Sequence, residues 1–96
     1  MAEVQDIEWF KKVIAPSLNG YEVTYKFYET GDFGSLNQVE FNSDNIGGNV
    51  DFWSLGWLGI FVWDYKRGKQ LLNILLEPTE KKVNALEELR SLLDKS

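Results

Sequence analysis

The chain has 96 residues, 44% of them hydrophobic and 26% charged, which is the composition of an ordinary folded domain and not of a disordered segment. It has no cysteine and no histidine, which excludes a disulfide framework, a thiolate or imidazole metal site and the commonest general base. The net charge of −5 is concentrated: residues 21–65 hold seven carboxylates against one cation, Lys26, together with 12 of the 14 aromatic residues, a balance that disfavours phosphate-backbone binding and suits a basic partner.

The length predicts one domain over residues 1–96. The first residues are acidic, with neither a basic head nor an apolar core, so no secretory signal is expected and a cytoplasmic location is. Val4, Ile7, Phe10, Ile14 and Leu18 recur at steps of three and four, one face of an amphipathic helix, widened by Trp9 and Val13. Pro16 lacks an N–H and should end the regular helix near Ala15. Leu18, Asn19 and Gly20 then read as a turn.

The period changes to two at residues 21–30, where Tyr21, Val23, Tyr25 and Phe27 alternate with Glu22, Thr24, Lys26 and Tyr28. After turn chemistry at residues 31–35, a second strand is expected over 36–41, with Val39 and Phe41 on its apolar face. A third is expected over 46–53, where Gly47 and Gly48 suggest a bulge. The fourth, residues 57–65, is apolar on both faces: Trp57, Phe61, Trp63 and Tyr65 on one, Leu58, Ile60 and Val62 on the other. Such a strand belongs in the middle of a sheet, because at an edge it would invite aggregation. Residues 66–69 form a hairpin turn and 70–77 a fifth strand. Beyond Pro78, Val83, Leu86, Leu89 and Leu93 mark a second amphipathic helix, capped by Thr79 or Glu77.

The order is α-β-β-β-β-β-α, an α+β fold. The short strand connections predict an antiparallel meander. Two helices with one apolar stripe each cannot cover both faces of five strands, so both are expected on one face, leaving the other open.

Few residues suggest chemistry. The stretch around Asp44, Gly47, Gly48 and Asp51 superficially resembles a calcium loop, but Ile46 and Gly48 fall at ligand positions and Leu55 stands where the closing glutamate belongs. The glycines at 31 and 34 lead into a strand and lack the lysine of a phosphate cradle. Four scattered serines have no histidine to activate them. A carboxylate pair drawn from Glu40, Asp51 or Asp64 is the one acid–base arrangement the sequence allows, and it needs two acids converging in a pocket. No catalytic residue, metal or cofactor is expected.

Alternation sends Tyr21, Tyr25, Phe27, Phe41 and Phe52 to the core. Trp53 and Tyr28 differ: Trp53 shares a predicted face with Asp51, and Tyr28 with Glu22 and Lys26. Exposed tryptophan and tyrosine are enriched at binding hot spots. The candidate partner-binding residues are therefore Glu22, Tyr28, Glu40, Asp51, Trp53 and Asp64, the last a charge at the rim of the Leu58–Ile60–Val62 patch. Lys66, Arg67 and Lys69 in the adjoining hairpin are placed to neutralise Asp64 or Glu77.

In overall character, an acidic and aromatic stretch from Glu22 to Asp64 without histidine or cysteine, the chain resembles the small bacterial immunity proteins of contact-dependent inhibition and related toxin systems. The resemblance implies a non-catalytic cytoplasmic protein that neutralises a cognate basic toxin, often a nuclease, and binds neither nucleic acid nor membrane. No residue roles transfer from it. The alternatives are a peptide- or carbohydrate-binding module using an open aromatic sheet face, and a small carboxylate-dependent enzyme.

Overall fold

The computed structural model describes residues 6–31 and 33–94. Val4, expected on the first helix's apolar stripe, and Asp32, expected in the first turn, lie outside the described residues. The helix α1 (Ile7–Val13) starts at Asp6, whose side chain accepts the Trp9 N–H at 2.9 Å and so satisfies one of the orphan donors of the first turn. It stops two residues earlier than Pro16 alone would require, and the chain tightens into a 3₁₀ turn, Ala15–Leu18, with Pro16 in its first residues. That turn keeps Ile14 and Leu18 pointing into the core.

Five strands follow: β1 (Glu22–Tyr28), β2 (Leu36–Asn42), β3 (Ile46–Trp53), β4 (Leu58–Asp64) and β5 (Lys69–Leu76). They form one antiparallel sheet in the order β1-β2-β3-β4-β5, the meander that short connections impose. β4, apolar on both faces, sits inside the sheet between β3 and β5. The chain closes with α2 (Val83–Asp94).

One core joins the two helices to a single face of the sheet. Trp9, Phe10, Ile14 and Leu18, with Leu86, Leu89 and Leu93 of α2, bury against Val39, Phe41, Val50, Phe52, Leu58, Ile60, Val62 and Leu72. Phe10 meets Phe52 edge to face at 6.0 Å, and Phe41 is likewise met by Tyr21 at 6.0 Å. Burying each large side chain fully contributes about 1.5–3 kcal/mol. Among the described residues no helix is long and apolar enough to cross a membrane.

Three expectations are corrected. Tyr25 and Phe27 have core parity but are 46% and 58% exposed, because β1 is an edge strand that the helices cover only in part. Tyr21, the third aromatic of that series, is half-buried. Gly47 and Gly48 mark no bulge: β3 keeps continuous register with both neighbours, and the one irregularity lies between Val62 and Trp63 in the β4–β5 ladder. The glycines serve close approach instead, since a Cβ at Gly48 would collide with the Phe61 carbonyl and lie 3.1 Å from the Phe41 ring. Neither Thr79 nor Glu77 caps α2. The Glu77 N–H donates to Glu80 Oε2 at 2.7 Å and the Glu80 N–H to the Glu77 carbonyl at 3.0 Å, a turn that delays the helix until Val83.

Candidate functional site: the helix-free face of the sheet

Because side chains alternate across a strand, the register assigns every strand residue to a face. Opposite the helices stand Glu22, Thr24, Lys26 and Tyr28 of β1, Leu36, Gln38, Glu40 and Asn42 of β2, Gly47, Asn49, Asp51 and Trp53 of β3, and Phe61 and Trp63 of β4. Five of the six candidates, Glu22, Tyr28, Glu40, Asp51 and Trp53, share this face. Asp64 does not. It lies in line with Ile60 and Val62 on the helix side, where its Oδ1 accepts the N–H groups of Lys66 and Arg67 at 3.0 and 3.1 Å, and the Arg67 guanidinium approaches at 3.8 Å. Its role is to close the β4–β5 hairpin.

A band of paired polar groups crosses the middle of the open face. Lys26 Nζ donates to Glu40 Oε1 at 2.9 Å, a contact that holds the ammonium pKa above its ordinary value through the hydrogen bond first and the carboxylate's charge second. On the next strand Asp51 Oδ1 accepts from Gln38 Nε2 at 2.8 Å and Asn49 Nδ2 at 3.2 Å. Among the described strand residues of this face, three carboxylates stand against the single cation Lys26, so the field stays negative.

Aromatic groups flank the band. At one end Trp53 lies across β4, its ring 3.2 Å from where a Cβ would sit on Gly59. Phe33, from the β1–β2 loop, meets it edge to face at 5.4 Å and stacks on Trp57 at 4.3 Å. Three hydrogen bonds tie that loop to the β3–β4 turn: the Ser54 N–H donates to the Ser35 carbonyl, the Leu55 N–H to the Phe33 carbonyl and the Ser35 N–H to Ser54 Oγ. Toward the other end Phe61 and Trp63 stack with nearly parallel planes, centroids 6.4 Å apart and inclined by 15°. With Tyr65, whose hydroxyl donates to Asn42 Oδ1 at 2.5 Å, they wall a shallow depression of about 310 Å³ floored by Gly47 and Gly48 and bordered by Glu40 and Asn49.

Phe61, Trp63 and Tyr65 are thus site residues that the candidate set lacks. Their signal was present in β4, where aromatic and aliphatic residues segregate to opposite faces. The helices pack against the aliphatic side, Leu58, Ile60 and Val62, which leaves the aromatic side outward. Among the described residues no three carboxylates gather as a metal cage. Glu40 and Asp51 occupy neighbouring strands of the open face, while Asp64 is separated from both by the sheet itself. Compared with known protein families the chain matches none, and neither the curated proteins nor the solved structures give a match.

Proposed function

We propose that this chain is a non-catalytic binding protein of the immunity type, which neutralises a basic toxin, most consistently a nuclease, by covering its phosphate-binding surface with the helix-free face. The observation that carries this reading is the coincidence, on the one sheet face without helices, of Glu22, Glu40 and Asp51 with Tyr28, Trp53, Phe61 and Trp63. A nuclease site is cationic because it holds phosphates, so a negative face accelerates encounter and the aromatic groups supply the desolvated centre of the contact.

The test is binding of the purified chain to the protein encoded by the neighbouring reading frame. A tight 1:1 complex is expected whose association rate falls steeply with added salt. Trp63→Ala should weaken it by about 2 kcal/mol, the scale of an aromatic hot spot. Absence of binding at low salt would end this reading.

The parallel Phe61 and Trp63 rings support a second one. Exposed aromatic groups beside the amides of Asn42 and Asn49 are suited to packing against a sugar ring while hydrogen-bonding its hydroxyls. Glycan binding that survives joint replacement of Glu40 and Asp51 by their amides would favour it over the toxin reading, which needs those charges.

A further inference from the structure

We propose that β1 is a self-association edge: two copies of this chain pair β1 antiparallel about a two-fold axis at Thr24, joining their sheets into one continuous sheet.

β1 is an edge strand seven residues long with unbroken register against β2, and no proline or bulge interrupts it. Tyr25 and Phe27 are exposed on its helix side and Tyr28 on its open side. A regular, unpaired edge is a template for another strand. The other edge, β5, is less suited, because its ladder with β4 is irregular at Val62 and Trp63. Natural edges are commonly protected by an isolated lysine. Here Lys26 is not isolated, for Glu40 of β2 pairs with it at 2.9 Å, and Glu22 lies four residues away on the same face of β1.

That spacing has no use within one copy. Four residues along a strand span about 13 Å, too far for the two side chains to interact. It does have a use across a two-fold. Opposed residues of an antiparallel pair point to the same face, so the registers that bring both helix layers to one side are those with a residue of β1 on the axis. An axis at Glu22 or Lys26 opposes like charges. An axis at Val23 or Tyr25 sets both charged residues against neutral ones. With Thr24 on the axis, Glu22 faces the partner's Lys26 and Lys26 the partner's Glu22, both on the open side. On the helix side Val23 faces the partner's Tyr25, an aromatic–β-branched pair of the kind that stabilises sheets, and the partner's Tyr21 comes opposite Phe27. Lys26 keeps Glu40 beside it, so each ammonium lies between two carboxylates.

Sedimentation or light scattering of the full chain across roughly micromolar to millimolar concentration should show twice the 11.1 kDa chain mass at the upper end. Lys26→Glu should raise the dimer dissociation constant at least about tenfold by opposing carboxylates twice, and adding Glu22→Lys should restore it. A structural role of Lys26 toward Glu40 would not be rescued by that second change, so rescue separates the two. Because the chain has no cysteine, Thr24→Cys reports the axis directly. It should form a disulfide dimer on mild oxidation far faster than Ser91→Cys on the exposed side of α2, since paired strands bring opposed Cα atoms within disulfide range. A chain that remains monomeric throughout, a Lys26→Glu variant that is folded and still dimeric, or faster crosslinking of Tyr25→Cys than of Thr24→Cys would each overturn the proposal. If Lys26→Glu does not fold, the cysteine comparison decides alone.

Discussion

Asp64 and Gly48 show how much one position can carry. Asp64 is a carboxylate in an acidic stretch, yet its oxygens are taken by the Lys66 and Arg67 N–H groups and the Arg67 side chain. Asp64→Ala removes the acceptor of two turn donors and should cost about 1 kcal/mol of stability, the usual value for a lost cap, measured by denaturant unfolding. Gly48 has no room for any side chain, since a Cβ meets the Phe61 backbone and not a movable group. Gly48→Ala should therefore destabilise by about 1–3 kcal/mol, with the loss seen as a lower melting temperature.

Strand position governs the aromatics more than strand parity does. Phe27 and Phe41 both alternate with polar neighbours, and both face the helix side. Phe41 is fully buried in β2, whereas Phe27 is 58% exposed in β1. Phe41→Ala should cost about 3–5 kcal/mol, while Phe27→Ala should change stability by less than about 1 kcal/mol, as surface substitutions do. Equal losses at the two sites in parallel urea titrations would mean that β1 is covered after all. α1 approaches β1 with Lys11, whose ammonium lies 5.1 Å from the centre of the Tyr25 ring.

For the molecule as a whole, the electrostatics are most testable at alkaline pH. Burial raises the Tyr25 phenol above its ordinary 10.0, and Glu40 raises the Lys26 ammonium above 10.5. Both groups hold protons more tightly in the folded chain than in the unfolded one. Their stabilising contributions are thus complete below those ordinary values and fade as pH climbs through the raised ones. Unfolding titrations between pH 8 and 11 should show stability falling at the upper end, with a shallower fall in Glu40→Gln, which takes away the acceptor that raises Lys26. The seven carboxylates of residues 21–65 do not form one surface. Glu22, Glu40 and Asp51 face outward from the sheet, and Asp44 sits exposed in the β2–β3 turn. Asp64 lies on the opposite face. The steering field is therefore narrower than the count of charges implies.

Alternation and helical spacing were enough to order the elements, pair the strands as a meander and leave one face open. These features arise from local geometry: a side-chain period of two or about 3.6 and short connections that force neighbours antiparallel. The same rules placed Glu22, Tyr28, Glu40, Asp51 and Trp53 together, because face membership follows from parity once register is set. They could not show that Tyr25 and Phe27 stand at an uncovered edge, that Asp64 is spent on a turn, or that Phe61, Trp63 and Tyr65 turn away from the core. Those outcomes depend on where two short helices come to rest on five strands, and that is set by packing between residues far apart in the chain.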